Sequence, residues 1–193
     1  TPSGTTDVVD PNLKDASGYN IDGGFRGKIK DYLSFDIGGF YLLYDNRIGT
    51  ITQNGLPFKT NIGTSVSQGA EGFVEIDPIR AFTANSPVGY ITLYASYAYV
   101  DAKYTRWDNP AIANDPAKSI VGKRVEYAPQ NIGRYGATYI YKNISATFQL
   151  SQVSEVYSDA ANTEKYNHAA TVGVVPAYMV MDASLTILFA KKY

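Results

Sequence analysis

Apolar and polar residues alternate one for one along most of this chain, most plainly over 134–151. Tyr135, Ala137, Tyr139 and Tyr141 alternate with Arg134, Gly136, Thr138 and Lys142. After a tight turn at Lys142 and Asn143, Ile144, Ala146, Phe148 and Leu150 alternate with Ser145, Thr147, Gln149 and Ser151. A period of two belongs to a β-strand with one apolar and one polar face. If Tyr141 faces Ile144, the next pairs are Tyr139 with Ala146, Ala137 with Phe148 and Tyr135 with Leu150. Each matches apolar with apolar, so the pattern itself sets the register.

The same reading extends over the rest of the chain. Tyr19, Ile21, Gly23, Phe25, Gly27 and Ile29 share a face, and a turn at Lys30, Asp31 and Tyr32 leads to Leu33, Phe35, Ile37, Gly39, Tyr41 and Leu43. That turn predicts Ile29 opposite Leu33 and Phe25 opposite Ile37. Further strands carry Ala70 to Ile76, Ile91 to Tyr99, and Met179 to Phe189 on alternate positions. None of these apolar faces holds a charged residue. The opposite faces hold Asp22, Arg26, Lys28, Asp36, Glu71, Glu75, Arg134 and Asp182. A lipid-facing Arg or Lys costs about 2–4 kcal/mol at the bilayer midplane, so this segregation points to a wall between hydrocarbon and water. No helical period of adequate length is expected. The turns at 30–32 and 142–143 are short and 77–89 is intermediate, whereas 46–61, 101–126 and 153–177 are expected as long loops. Such alternation gives a barrel one plain rim and one elaborated rim.

Composition supports a wall over a core. Hydrophobic residues make up 45%, but 17 of the residues are Tyr and 17 are Gly, where a soluble interior would use Leu, Ile and Val. Tyr41, Tyr44, Tyr97, Tyr99, Tyr139, Tyr141 and Tyr178 gather near strand ends, where interfacial girdles belong. A net charge of −1 leaves no basic footprint for nucleic acid. The absence of cysteine removes disulfides, a thiol nucleophile and thiolate metal sites. No apolar run is long enough for a membrane helix. A soluble carbohydrate-binding sheet domain and a complete small outer-membrane enzyme or adhesin barrel stay open as alternatives.

Several stretches carry a resemblance in order along the chain: Gly18-Tyr19-Asn20-Ile21, Tyr44-Asp45-Asn46-Arg47-Ile48, Asn61-Ile62-Gly63, Ser67-Gln68-Gly69-Ala70-Glu71, Ala95-Ser96-Tyr97-Ala98-Tyr99-Val100-Asp101, Gly122-Lys123-Arg124-Val125, Ser154-Glu155-Val156-Tyr157 and Pro176-Ala177-Tyr178. Together they resemble the C-terminal part of the barrel of TonB-dependent outer-membrane receptors, of the ferric citrate and ferric siderophore type. The resemblance implies an all-β, antiparallel transmembrane barrel, of which residues 1–193 form about seven of roughly 22 strands. A plug domain and the final strands would lie outside this sequence. It also implies a bacterial outer-membrane location, contact with lipid, and a TonB complex engaged through an N-terminal segment. The expected activity is import of a ferric chelate without catalysis, and no cofactor is implied. A receptor for cobalamin or an oligosaccharide is the alternative of the same build.

An anionic ferric chelate calls for Arg or Lys and aromatic side chains on loops held by a rigid scaffold. Arg106, Trp107, Arg124 and Tyr157 are the candidate ligand-binding residues. Their plainer readings are an interface anchor for Trp107 and a carboxylate partner for Arg124. Asp22, Arg26, Asp36, Glu71, Glu75 and Arg134 are expected to line the lumen, as a wall against the plug, a ligand path or a hydrated ion-pair lattice. Glu71 and Glu75 would stand roughly 13 Å apart along one strand, too far to act on one bond. His168 is the sole histidine, so a protein-built metal centre is not expected. Asp159 with Asn162 matches no complete calcium loop.

Overall fold

Strands dominate the described residues, and the elements in chain order are β1 (Val8–Val9), β2 (Ser17–Ile29), β3 (Leu33–Gln53), β4 (Leu56–Ile76), α1 (Pro78–Phe82), β5 (Tyr90–Trp107), β6 (Asn131–Tyr141), β7 (Ile144–Val153), β8 (Val156–Tyr157), β9 (Val174–Val175) and β10 (Tyr178–Ile187). The computed structural model describes residues 8–53, 56–108, 119–168 and 172–189, with backbone alone for 50–53 and 56–57. Lys118, in the segment 101–126, and the terminal Lys191, Lys192 and Tyr193 lie outside the described residues.

The sheet runs in the order β2-β3-β4-β5-β6-β7-β10, each strand antiparallel to its neighbours. Every pairing expected from the alternation occurs. Ile29 faces Leu33 and Phe25 faces Ile37. Tyr141 faces Ile144, Ala137 faces Phe148 and Tyr135 faces Leu150. Directly paired residues share a face, so register carries one apolar surface across the sheet: Ile37 to Gly72 to Tyr97, and Ala137 to Phe148 to Ala183. The reverse surface carries Asp36 opposite Arg26 and Phe73, and Glu71 opposite Gly38 and Ala98.

These apolar residues do not converge on a core. Phe25 is 69% exposed, Leu185 65%, Phe148 51% and Leu93 40%. Among the described residues the buried apolar side chains are Ala102, Tyr104 and Ile120, all near the distal end of β5. A closed soluble sandwich would bury the first set, so that alternative fails on packing. At close approaches the backbone is lined with aromatic rings. The Tyr94 ring lies over its partner Gly136, where a Cβ would meet it at 2.3 Å, and its hydroxyl donates to Gln149 Oε1 at 2.8 Å.

Three connections differ from expectation. The segment 46–61 is no long loop: residues 46–53 and 56–61 belong to the distal parts of β3 and β4, which pair with one another and each reach 21 residues. β5 likewise continues through Trp107, so the 101–126 segment leaves the sheet only there. Beyond the lipid-like band both faces meet water, so alternation no longer marks a strand. Segment 77–89 contains α1, which is too short to show a helical period. Asp77 caps it by accepting from the Arg80 amide at 2.9 Å, Pro78 begins it, and the Arg80 guanidinium lies 4.5 Å from the Tyr90 ring. β1 runs parallel to the far end of β4, pairing Val8 with Phe58, and covers an edge that β5 no longer reaches.

The two faces make opposite predictions within the complete barrel. Phe148→Arg should lower folding stability in lipid vesicles by about 2–4 kcal/mol in urea titration, whereas Gln149→Arg on the reverse face should cost far less. Equal losses would mean that the apolar face does not meet hydrocarbon.

Candidate ligand-facing site

Three register shifts shape the distal part of the wall, two between β3 and β4 and one between β4 and β5. Between β3 and β4 the register shifts from Tyr44–Ser65 to Arg47–Gly63, setting Asp45 and Asn46 against Thr64 alone, and shifts back at Ile48–Asn61, where Ile62 is the extra residue. Asn46 takes a φ of 51°, a left-handed conformation that Asn tolerates better than most residues. Between β4 and β5 the pairing moves from Ser65–Tyr104 to Thr64–Arg106, so Thr105 is inserted. Gly63 at φ 135° lies against this bulge, and a Cβ there would stand 2.0 Å from the Arg106 carbonyl oxygen. Bulges re-aim side chains, and here they place one polar cluster on each face.

Tyr44, Ser65 and Tyr104 continue the face that carries Glu71, as their register shows. Arg47 folds between them, 5.6 Å from the Tyr44 ring centroid and 5.3 Å from that of Tyr104. Its Nη1 donates to Ser65 Oγ at 3.1 Å and its Nη2 stands 3.7 Å from Glu126 Oε1. The other Glu126 oxygen accepts from the Tyr104 hydroxyl at 2.7 Å. Burial, and then this carboxylate, push the Tyr104 hydroxyl well above the ordinary tyrosine range, so it stays a donor. Tyr44, assigned by sequence to the aromatic girdle, belongs instead to this cluster on the charged face.

The opposite face holds the second cluster. Asp45 Oδ1 accepts from Thr64 Oγ1 at 2.5 Å and from Arg106 Nη2 at 3.0 Å. Arg106 also donates Nε to both Asp108 oxygens, at 2.9 and 3.0 Å. The candidate Arg106 is therefore held by two carboxylates. Trp107 pairs with Gly63 at the end of β5, half-buried, and its Nε1 is buried with no hydrogen-bond partner among the described residues.

The loops that follow β5 and β7 are joined to one another. Lys103 bridges to Arg124, with Tyr104 N donating to Lys123 O at 3.0 Å and Val125 N to Ala102 O at 3.0 Å. Direct pairing puts Arg124 on the Lys103 side of the sheet. Its guanidinium lies 5.6 Å from the Tyr157 ring, so aromatic stacking takes the place of the expected carboxylate. Asn162 clasps the Arg124 backbone, accepting from its N at 2.7 Å and donating to its O at 2.8 Å. Lys123 Nζ reaches the Ala161 carbonyl at 2.8 Å. Tyr157 itself lies in β8, which pairs with β9 through Tyr157 and Val174. The structure thus brings Arg124 and Tyr157 together, whereas Arg106 and Trp107, consecutive in β5, project from opposite faces, Trp107 on the one Arg47 shares through Gly63.

The charged-face candidates are largely separate. Arg26 meets Asp36 at 2.5 Å, but 83% side-chain exposure of Arg26 makes that pair worth at most about 1 kcal/mol. Asp22 accepts from Asn20 Nδ2 at 3.1 Å. Glu71, Glu75 and Arg134 make no ion pair with described residues, so among these six candidates Arg26 with Asp36 is the one such pair between described residues. Asp36 and Glu71 border a cavity of about 250 Å³ with Phe73, Ser96 and Ile132. Among the described residues no three His, Cys, Asp or Glu side chains converge as metal ligands. Sequence reasoning missed Arg47, Tyr104 and Glu126 as a group, although Tyr44-Asp45-Asn46-Arg47-Ile48 and Asn61-Ile62-Gly63, two of the resembling stretches, are the bulge itself.

Hydrogen bonds from Thr64 and the Asn46 amide, reinforced by Arg106, hold the Asp45 carboxyl below its ordinary value of 3.8. A lowered value stabilises the fold above the unfolded value and is lost as pH falls through the lowered one. Amide exchange at Thr64 and Arg106 should therefore stay slow from pH 7 to 5 and quicken only on the acid side of 3.8. In Asp45→Asn that acid-side change should vanish; its persistence would place the acid-sensitive group elsewhere.

The model of the family described as TonB dependent receptor-like, beta-barrel, matches residues 1–193. No curated protein sequence matches the chain. Among solved structures, the unliganded ferric citrate transporter FecA is 21% identical with a TM-score of 0.69, over 92% of this chain and 24% of that one. The ferric yersiniabactin uptake receptor FyuA from Yersinia pestis is 15% identical, TM-score 0.58, over 88% and 22%. The copper transporter OprC is 16% identical, TM-score 0.63, over 94% and 24%. This chain thus spans about a quarter of the length of the structures it matches.

Proposed function

This chain belongs to the TonB-dependent receptor-like β-barrel family, and on that premise we propose that it forms part of the wall of a receptor importing an anionic ferric chelate. The family is one of bacterial outer-membrane transporters and not of enzymes, and this sheet is an unclosed portion of such a transmembrane barrel. The observation that carries the reading is the two-faced sheet itself. It has an uncharged surface for lipid, a charged surface for the interior, and arginines and aromatics concentrated where the strands extend past the apolar band. Two of the similar structures are named for ferric chelates, which supports the iron reading over the cobalamin and oligosaccharide alternatives.

In this reading the tight turns at 30–32 and 142–143 mark the periplasmic rim, and the far ends of β3, β4 and β5 stand outside the cell. Capture rests on differential binding and involves no bond making. Arg124 with Tyr157 is the contact favoured among the four loop candidates, because Arg106 is already neutralised by Asp45 and Asp108. Trp107 would supply apolar surface on the opposite face from Arg106, the one that Arg47 shares. Asp22, Arg26, Asp36, Glu71, Glu75 and Arg134 would line the interior against a plug domain encoded elsewhere in the protein. Coupling to a TonB complex would come through that domain, and the final strands would close the wall.

Equilibrium titration of the full-length receptor with ferric citrate, a ferric tris-catecholate, cobalamin and cupric ion tests this. At least one anionic ferric complex should bind, and Arg124→Ala should weaken it at least severalfold through loss of a charge-assisted contact. Binding of cobalamin or copper alone would overturn the iron reading, and unchanged affinity in Arg124→Ala would remove Arg124 from the site.

A further inference from the structure

The ferric-chelate reading leaves open which cation meets the anion once it passes the rim, and Arg47 differs in place from the other described arginines, Arg134 included, which shares the charged face but stands within the band opposite Ser96 and Ser151. Arg106 is ligated by two carboxylates. Arg80 is tied to Asp77 at the opposite rim, and Arg26 to Asp36 well inside the band. Arg124 lies on the Lys103 side of the sheet. Arg47 alone combines a distal position with the charged face, roughly 17 Å along β5 beyond Tyr99 if measured at Tyr104.

Its surroundings fit recognition better than bracing. Two tyrosine rings flank the guanidinium, which fixes its plane at small entropic cost to binding. One hydroxyl, Ser65 Oγ, takes a hydrogen bond from Nη1. The nearest carboxylate oxygen, on Glu126, is 3.7 Å away, whereas a charge-assisted N–H···O bond closes to about 2.7–2.9 Å. Glu126 is positioned by the Tyr104 hydroxyl, at 2.7 Å, and not by the arginine. The guanidinium therefore keeps N–H donors that no described oxygen accepts at full strength, and its side chain remains 24% exposed. A planar fork of donors, rigidly mounted and loosely compensated, suits the bidentate geometry of a carboxylate or catecholate edge.

We propose that Arg47 is the anion-recognising and charge-selective residue on the inward side of the wall, and that Glu126 is the internal carboxylate which an anionic ferric chelate displaces from it. This rests on the ferric-chelate reading. While the site is empty, Glu126 offsets the guanidinium and Tyr104 holds Glu126 within reach. When the chelate arrives, its oxyanions take the Arg47 donors, and Glu126 retains the Tyr104 hydroxyl as its own partner. Selectivity follows from the exchange: a neutral chelate cannot replace the lost Glu126 attraction, so it does not open the pair.

The test uses the full-length receptor in detergent, titrated with ferric citrate and a ferric tris-catecholate as anionic probes and a neutral ferric trihydroxamate as the control. Arg47→Lys keeps the charge and removes the planar fork. It should weaken the anionic probes about tenfold, near 1.4 kcal/mol, and leave the neutral one unchanged. Glu126→Gln keeps an acceptor for Tyr104 and removes the competing charge, so anionic affinity should rise severalfold. Equal weakening of all three probes in Arg47→Lys, with a lowered melting temperature, would make Arg47 a structural brace and overturn the proposal. Unchanged anionic affinity in both variants would overturn it too. A wild-type receptor that binds none of the probes would remove the ferric-chelate reading itself, and this proposal with it.

Discussion

Phase is the constraint on which this wall depends. Side chains on a strand alternate with a period of two, so a slip of one residue in any pairing would turn a whole apolar set toward water and a charged set toward lipid. Register is held in common: Ile37 pairs with Gly72 and Gly72 with Tyr97, so an error at one ladder would propagate to the next. Ion pairs contribute little to this. The Arg26–Asp36 pair is too exposed for more than about 1 kcal/mol, whereas each charge misplaced at the midplane costs about 2–4. The wall is specified chiefly by what its outer face excludes.

That constraint explains where the chain departs from regularity. Within the band the β2–β3, β5–β6, β6–β7 and β7–β10 ladders run without a shift. The register shifts lie past it, at Tyr44–Ile48 and Thr64–Ser65, where both faces are wet and a bulge does not bring charge into hydrocarbon. Freed from the lipid rule, the same strands distribute arginines and carboxylates on both sides. The few buried side chains gather there as well, with Tyr104, Ala102 and Ile120 anchoring the loop that returns over β5. The segment 119–130 and the segment 154–168 are then fastened by Asn162 and by Tyr127 N donating to Tyr157 O at 2.9 Å, so two loops far apart in sequence behave as one surface.

The alternation of the sequence disclosed the band down to individual pairs, such as Phe25 with Ile37 and Tyr139 with Ala146. It disclosed nothing past Tyr44 or Tyr99 because strands wetted on both faces have no reason to alternate; Asn46, Gly49, Pro57, Asn61 and Gly63 read as a loop by composition. The helix at Pro78–Phe82 spans too few residues for a 3.6-residue period to register. For the site, residue type alone picked out Arg106, Trp107, Arg124 and Tyr157 but could not say which face each occupies. Face depends on the parity of inserted residues. The insertions at Asp45, Asn46 and Thr105 emerge only from pairing, and with them the company of Arg47.

Two arginines on the strands that flank β4 show how differently a guanidinium can be compensated within one sheet. Arg106 makes three carboxylate contacts between 2.9 and 3.0 Å, so any incoming anion must compete with hydrogen bonds of full strength. Arg47 faces one carboxylate at 3.7 Å, and that group already has a partner at 2.7 Å. Coulomb attraction falls only slowly over that difference, but the hydrogen-bond component falls steeply. The cost of exchanging the partner is accordingly low at Arg47 and high at Arg106. Because side chains alternate along a strand, one further inserted residue in β3 or β5 would turn Arg47 or Arg106 to the other face, so the parity of these strands decides which of the two meets the charged side.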